Sequence, residues 1–162
     1  MNKTNVMRIL DKAGIAYSTA TYEYDENDLS GVHAAAQITA IAPEQCFKTL
    51  VARGEKRGPL VFCIPVAAEL DLKAAAVLAK DKRVELIHVK ELQGLTGYVR
   101  GGCSPIGMKK AFPTFFDQSA RYRDTIGVSA GTRGAQVIAD PQKLAALIGA
   151  QFGPLTKRQA EP

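Results

Sequence analysis

A glycine-rich stretch in the second half of the chain, residues 97–110 with the sequence GYVRGGCSPIGMKK, has the composition of a ligand-binding loop. Glycine loses more backbone entropy on ordering than any other residue, so such a loop is typical of backbone that bends tightly or approaches a ligand closely. Gly101 and Gly102 can take a positive φ, and Pro105 fixes φ and removes one amide donor. The stretch predicts a stiff turn whose main-chain N–H groups point towards a ligand. The alternative is a glycine-rich connector with solvated basic residues.

This loop does not have the features of a nucleotide-binding P-loop. Gly102 and Gly107 have the spacing of that motif, but Met108 stands before Lys109. No Ser or Thr follows Lys110 to hold magnesium. The sequence therefore excludes a nucleoside triphosphatase of the P-loop class.

A single lysine interrupts a segment that otherwise has the pattern of a buried strand, Cys46–Arg53 with the sequence CFKTLVAR. Side chains alternate between the two faces of a strand, and both faces are otherwise apolar around Lys48. Burying an ammonium without a counter-charge is costly. Lys48 therefore either lies at a sheet edge, where lysine discourages strand pairing, or lines a cleft in which it meets an anionic group.

A second small-residue turn follows a predicted strand at residues 125–134, with the sequence TIGVSAGTRG. A hydroxyl such as that of Ser129, close to Gly131, is suited to hydrogen bonding with a ligand. The same composition is also that of an ordinary turn. Alone, the stretch leaves both interpretations open.

The sequence offers no complete nucleophilic machinery. No GxSxG pattern surrounds Ser104 or Ser129, and neither His33 nor His88 has the context of a catalytic triad. His33, in an alanine-rich helix, is expected to be a surface or cap residue. Cys103 is a candidate nucleophile inside the glycine loop, or else a small, adaptable loop residue, since no base is evident beside it.

The cysteines support neither a disulfide framework nor a zinc site. Cys46, Cys63 and Cys103 are an odd number at wide spacings without a CxxC pair, and His33 and His88 are the only histidines. We therefore expect no metal and no organic cofactor.

Length and charge indicate a single-domain protein with a moderate positive charge. It has 162 residues, of which 46% are hydrophobic, enough for one sizeable core. The net charge of +5 favours partners such as nucleic acid, with a mildly basic enzyme as the alternative. No apolar run approaches the ~20 residues of a membrane span, and the start lacks a signal-peptide pattern. We expect a cytoplasmic protein without membrane association.

Helices and strands alternate without a regular βαβ rhythm, which predicts an α+β (mixed α/β) single domain. The predicted helices are one between Thr4 and Gly14, one from Ser30 or Gly31 to Thr39, one from Asp71 to Ala79, a turn at Val89–Leu92, and one from Asp140 to Ile148. The predicted strands are residues 15–24, Cys46–Arg53, Leu60–Pro65, Val84–Ile87, Thr114–Asp117, Thr125–Ser129 and Gln136–Ala139. The polar chain after Phe152 is expected to fray.

Five sequence motifs occur together in one order: TYEYD, CFKTL, PVAAELDLKAAA, TGYVRGGCSPIGMKK and SAGTRG. Each is unspecific alone, but the ordered set resembles the free-standing aminoacyl-tRNA editing proteins of the YbaK/EbsC type. These are Cys-tRNA(Pro) deacylases related to the editing insertion of bacterial prolyl-tRNA synthetases. The resemblance covers nearly the whole chain and implies an editing domain over residues 1–155, followed by a polar tail over residues 156–162.

The resemblance implies a barrel-like mixed sheet surrounded by helices, with the site in a cleft at its side. Lys48, Gly101 and Gly102 are the expected catalytic positions, the two glycines opening the GxxxP loop of the family. The expected substrate-binding positions are Tyr22, Leu29, Thr49, Cys103, Ser104, Pro105, Ser129 and Gly131. The implied partner is the acceptor end of an aminoacyl-tRNA, with prolyl-tRNA synthetase as a further candidate, and we expect a monomer.

The family's chemistry requires no protein nucleophile. The substrate's cysteine thiol attacks its own ester carbonyl, releasing a thiolactone and free tRNA, so the enzyme positions the ester and stabilises the oxyanion. Cys-tRNA(Pro) is the implied substrate, with Cys-tRNA(Cys) as a second. The alternatives are another small residue, such as Ala-tRNA(Pro), or a non-catalytic module that binds aminoacyl-tRNA, a nucleotide or a synthetase. Leu29 and Gln136 depart from the phenylalanine and the acidic residue often found in the family, which bears on amino-acid preference.

Overall fold

The computed structural model describes residues 2–157, which contain five α-helices and eight strands. The helices are α1 (Asn5–Ala13), α2 (Gly31–Gln37), α3 (Leu72–Ala79), α4 (Val89–Thr96) and α5 (Pro141–Ile148). The strands are β1 (Tyr17–Thr21), β2 (Phe47–Gly54), β3 (Gly58–Pro65), β4 (Val84–Leu86), β5 (Thr114–Asp117), β6 (Ile126–Ser129), β7 (Ala135–Ala139) and β8 (Gln151–Gly153). Short 3₁₀ turns lie at Pro43–Gln45 and Gln118–Tyr122. The described part of the chain contains no helix long and apolar enough to cross a membrane.

Helix ends follow the local capping signals of the sequence. The Thr4 hydroxyl accepts a hydrogen bond from Met7 N–H at the start of α1, and Gly14 ends that helix with φ of 71°. At α5, the Asp140 side chain accepts from Gln142 N–H. The predicted bounds of α1 and α5 are confirmed because these signals depend on neighbouring residues alone.

The strands form two sheets that meet beside the start of β2. One sheet has the order β1-β7-β6 and is antiparallel; the other has the order β4-β2-β3-β5-β8, in which β5 and β8 add in parallel. A parallel bridge between Cys46 and Gly127 joins them. The predicted mixed α+β class is confirmed, but over the described residues the sheets do not close into a barrel.

The hairpin β2–β3 separates two parts of the core. Phe47, Val51 and Cys63 face the cluster that contains α1 and the three-stranded sheet. Leu60 and Phe62, on the opposite face, pack against α3. The central hairpin is therefore buried on both faces, and this packing holds its strand β2 rigidly.

The chain after Phe152 is ordered up to residue 157, so the expectation of fraying is wrong for this stretch. β8 pairs with β5, and Leu155 is fully buried with its N–H donating to Asp117 Oδ1 at 3.0 Å. Thr156 forms a bridge with Leu70. The remainder of the predicted tail, residues 158–162, lies outside the described residues. The division at residue 155 stays a prediction.

Candidate active site

An open cleft of about 890 Å³ lies along the edge of β2. Its wall comes from five parts of the chain: residues 22–34 with α2, the first half of β2, Val66 just after β3, the glycine loop, and the β6–β7 hairpin. Seven of the predicted site residues line it: Lys48, Gly101, Tyr22, Leu29, Thr49, Cys103 and Ser129. The remaining four predicted site residues, Gly102, Ser104, Pro105 and Gly131, do not line it.

Lys48 lies half-buried on β2 and contributes a positive charge to the cleft. Among residues 2–157, no acidic oxygen lies within 4.0 Å of its ammonium. Partial burial lowers the pKa of Lys48, and the negative charge of Glu69 opposes that shift in part. An ammonium held in this way is suited to meet an anionic group of a ligand.

The two adjacent glycines of the loop have different roles. Gly101 has φ of +86°, and a Cβ there would lie 3.2 Å from Leu29 Cδ2 and 3.5 Å from Arg133 Cγ. Gly102 is buried, and a Cβ there would lie 3.0 Å from the backbone nitrogen of Arg133. Gly101 therefore borders the cleft, whereas Gly102 allows the loop to pack against the turn after β6.

Three further predicted site residues support the loops from behind. Ser104 is fully buried, and its Oγ accepts a hydrogen bond from Ile106 N–H at 3.3 Å. Pro105 is buried beside it. Gly131, with φ of +92°, donates its N–H to Ser129 Oγ at 3.1 Å. That bond orients the Ser129 hydroxyl, which can still donate its own proton into the cleft.

Cys103 reaches the cleft as a protonated thiol. Burial raises the pKa of Cys103 to about 12, and a hydrogen bond with Thr96 opposes the shift in part. A thiolate is the nucleophilic form of cysteine, so this environment suppresses nucleophilicity at neutral pH. The geometry favours the adaptable loop residue over the nucleophile.

A histidine–carboxylate pair lies at the mouth of the cleft, where the sequence predicted only a surface or cap residue. His33 Nδ1 is 2.6 Å from Asp28 Oδ2, and both residues line the cleft. The contact with His33 lowers the pKa of Asp28. The two residues are on either side of the start of α2, and no sequence signal distinguishes this pairing from an ordinary cap.

Gln136 on β7 has a buried amide oxygen in the cleft wall. The residue is 6% exposed, and its Oε1 has no hydrogen-bond partner within the described chain. A Cβ at Gly127 would lie 2.6 Å from this oxygen, so glycine at that position makes room for the amide. Gln136 stands at the position where members of the family that the sequence resembles often have an acidic residue.

No group of three or more His, Cys, Asp or Glu side chains suited to a metal ion occurs between residues 2 and 157. Besides the Asp28–His33 pair, the cleft presents the cations of Lys48, Arg100 and Arg133, together with hydroxyls, main-chain amides and the Cys103 thiol. Such a set can position an ester and stabilise negative charge on oxygen.

Comparisons with known proteins agree with this geometry. Residues 26–147 match the aminoacyl-tRNA editing domain family. EbsC of Enterococcus faecalis, for which Cys-tRNA(Pro)/Cys-tRNA(Cys) deacylase activity is proposed, is 42% identical over 157 residues, covering 97% of this chain and 95% of the relative.

Solved structures show the same fold. A proposed trans-editing enzyme for prolyl-tRNA synthetase superposes with a TM-score of 0.78 at 25% identity, covering 97% of this chain and 100% of that chain. The hypothetical protein APE2540 shares the fold, with a TM-score of 0.84 at 21% identity over 95% of this chain and 100% of that chain. The family match over residues 26–147 and the near-full-length identity with EbsC together show that the chain belongs to the aminoacyl-tRNA editing domain family.

Proposed function

We propose that this protein is a trans-editing deacylase that removes cysteine from mischarged Cys-tRNA(Pro), and also from Cys-tRNA(Cys). The observation that carries the proposal is the shared position of Lys48 and Gly101 on one cleft, with Lys48 lacking an acidic partner among the described residues. The 42% identity with EbsC supports the choice of cysteinyl esters. In this proposal the acceptor end of the tRNA enters the cleft.

The reaction proceeds by attack of the substrate's own thiol. The substrate thiol gives up its proton as its sulfur bonds to the ester carbonyl carbon. The bond from that carbon to the ribose oxygen then breaks, and the ribose oxygen takes up a proton, so that no net proton is gained or lost. The products are a thiolactone and uncharged tRNA. Lys48 and the main-chain N–H groups of Gly101 and Cys103, the two residues of the 101–105 loop that line the cleft, stabilise the negative charge that develops on the carbonyl oxygen. The neutral state of Cys103 supports a route without a protein nucleophile.

A panel of charged tRNAs, assayed side by side with radiolabelled amino acids, tests the proposal. We expect faster loss of cysteine from Cys-tRNA(Pro) and Cys-tRNA(Cys) than of alanine from Ala-tRNA(Pro). A methyl in place of a thiol changes binding by only ~1 to 3 kcal/mol, but alanine also lacks the attacking group. Preferential release of alanine would identify a different editing specificity. Binding of charged tRNA without ester loss would identify a non-catalytic module.

The proposed setting is the cytoplasm, where charged tRNA is used, with the protein acting as a monomer and prolyl-tRNA synthetase conferring tRNA specificity. The likeness to a proposed trans-editing enzyme for that synthetase supports this partner. A pull-down with purified prolyl-tRNA synthetase, with and without tRNA(Pro), tests the association. Light scattering after size exclusion tests the oligomeric state.

A further inference from the structure

One edge of β2 is left without a partner strand at the cleft. On the side away from β3, the bridge from Cys46 to Gly127 occupies the start of the segment, and β4 pairs with β2 from Ala52 onward. Between them, Thr49 has a strand partner only on the β3 side, where it lies opposite Cys63. Residues 47–51 therefore form no bridge on this edge, Thr49 lies at the middle of that gap, and the gap opens into the cleft.

The direction of the main-chain groups in this gap follows from the alternation of an antiparallel ladder. Val66 N–H donates to Cys46 C=O, so the even-numbered residues of β2 exchange hydrogen bonds with β3. On the other edge, Ile87 N–H donates to Val51 C=O and Glu55 N–H donates to Arg83 C=O, so the odd-numbered residues face that edge. The N–H and C=O of Thr49 therefore both point into the gap.

A strand residue that faces an open edge presents a donor and an acceptor side by side. A partner residue in the same register returns one acceptor and one donor, which is the basis of strand addition in peptide recognition. An aminoacyl ester carries the same two groups on one carbon, the α-amino group and the ester carbonyl. Val51 C=O already accepts from Ile87 N–H, so Thr49, at the middle of the gap, is the edge-facing residue best placed to receive this head group.

We propose that the main-chain N–H and C=O of Thr49 bind the aminoacyl head of the substrate as a one-residue addition to the sheet edge. The Thr49 N–H donates to the ester carbonyl oxygen, and the Thr49 C=O accepts from the α-amino group. This places a fixed amide donor on the oxygen that becomes negative during the reaction, on a strand held by the core on both faces. The assignment rests on the proposed deacylase function and adds to it a main-chain hydrogen-bond donor, the Thr49 N–H, for the ester carbonyl oxygen.

Amide hydrogen exchange measured by NMR tests the gap in the free protein. Leu50 N–H lies in the ladder with Phe62, whereas Thr49 N–H faces the cleft. We expect the Thr49 amide to exchange faster than the Leu50 amide, on the order of 100-fold, because only the Leu50 amide requires the sheet to open before it exchanges. Equal strong protection of both amides would overturn the proposal.

A non-hydrolysable analogue, adenosine bearing cysteine through a 3′-amide, tests the ligand. We expect it to slow exchange at Thr49, whereas adenosine alone leaves that exchange unchanged. Protection by adenosine alone would overturn the assignment to the aminoacyl head and point to the adenine edge. Deacylation by the same wild-type sample separates the two proposals. Active enzyme without protection at Thr49 contradicts this inference alone, and absent activity contradicts the proposed function.

Two Thr49 variants separate the main chain from the side chain. Thr49→Pro removes the N–H at a position whose N–H is not needed by the sheet, so the fold is expected to persist while deacylation falls about 100-fold. Thr49→Val retains both main-chain groups, so the analogue should still protect its amide from exchange. Loss of protection in Thr49→Val would assign the binding to the hydroxyl and overturn the proposal.

N-acetylated Cys-tRNA(Pro) provides a substrate-side test that does not depend on protein folding. Acetylation removes one amine donor and adds bulk on the nitrogen that is proposed to bind the Thr49 C=O. We expect at least a tenfold loss of kcat/KM relative to Cys-tRNA(Pro). Equal rates for the two substrates would show that the amine is not bound.

Discussion

Lys48 is the charged residue of β2 that has no acidic partner within 4.0 Å among the described residues. Lys48→Met keeps most of the side-chain volume and removes the charge. We expect kcat/KM for Cys-tRNA(Pro) to fall about 100-fold or more, because oxyanion stabilisation is lost. Circular dichroism and thermal unfolding should remain as in the wild type, since within residues 2–157 the ammonium forms no ion pair that its removal would break.

Lys143→Met on the exposed side of α5 is the matched control. It removes the same charge from a surface remote from the lining of the cleft. Wild-type activity in the control with full activity in Lys48→Met would discard Lys48 as a catalytic residue.

The lowered pKa of Lys48 gives a pH prediction. The ammonium is present below its pKa and lost above it, so activity should fall as pH rises through a value below the usual 10.5. Lys48→Arg keeps the charge throughout this range, so its remaining activity should lack the alkaline decline. Initial rates corrected for spontaneous ester hydrolysis provide the measurement. The same decline in both enzymes would assign it to the substrate.

Cys103 is expected to be dispensable for chemistry. Since burial raises the pKa of its thiol to about 12, it is neutral when the enzyme works. Cys103→Ala should therefore change turnover less than tenfold, with KM carrying most of the effect of lost packing. Single-turnover deacylation separates the two parameters. A loss on the order of a thousandfold in a folded variant would instead indicate a protein nucleophile.

At the scale of elements, alanine substitutions in two loops can distinguish the effect of backbone strain on stability from the effect of crowding in the cleft on activity. Gly101 and Gly58 both have positive φ, +86° and +75°, but only a Cβ at Gly101 meets neighbouring atoms, Leu29 and Arg133. Alanine at either position should lower the free energy of unfolding by roughly 1 kcal/mol, measured in urea. Only Gly101→Ala should also reduce deacylation, by about tenfold, because it displaces cleft residues. Equal activity in both variants would contradict a role for Gly101 in shaping the site.

The elements that sequence predicted well are those specified by neighbouring residues. The β2–β3 hairpin and the capped helices α1 and α5 depend on local patterns and end close to the expected residues. Strand β8 was missed because it is short, polar and stabilised by parallel pairing with β5, which is 34 residues away from Asp117 to Gln151. The open edge at Thr49 depends on where β4 and β6 end, and no periodicity within β2 encodes that.

The same distinction applies to the site. Lys48 and Gly101 were predicted from residue type and motif order, and the structure brings them to one cleft. Gly102 and Ser104 belong to the same motif but pack behind it, a difference that depends on contacts with Arg133 and Ile106. Sequence identifies such a loop, whereas the fold decides which of its atoms face a ligand.

At the scale of the whole molecule, the fold gathers basic residues that are separate in sequence. The β2–β3 turn and the α3–β4 loop are tied together by Asp81, whose carboxylate accepts hydrogen bonds from the backbone N–H groups of Lys56, Arg57 and Lys82. Their exposed cations form a basic tip: Lys56, Arg57, Lys80, Lys82 and Arg83. Lys80 ends α3 with φ of 57°, a conformation in which glycine is usual, so its charge is kept despite backbone strain.

We expect the basic tip to contact the phosphates of a tRNA whose acceptor end enters the cleft. Gly54 lies six positions along β2 from Lys48, a distance of roughly 20 Å at ~3.3 Å per residue. Binding of tRNA should therefore weaken as salt rises, and the double change Lys56→Glu with Lys82→Glu should both weaken binding and flatten the salt dependence. Fluorescence anisotropy with uncharged tRNA(Pro) at several salt concentrations gives both quantities.

The double change Lys12→Glu with Lys143→Glu alters net charge by the same amount on exposed faces of α1 and α5. If the tip contacts phosphates directly, its variant reduces the slope of log Kd against log salt by about two, one for each lost phosphate contact, whereas the control changes the slope less. Equal slopes for the two variants would show that only the overall charge of +5 attracts tRNA. Single-turnover deacylation at saturating enzyme should stay near the wild-type rate in the tip variant, because the tip lies outside the cleft in which the ester is cleaved.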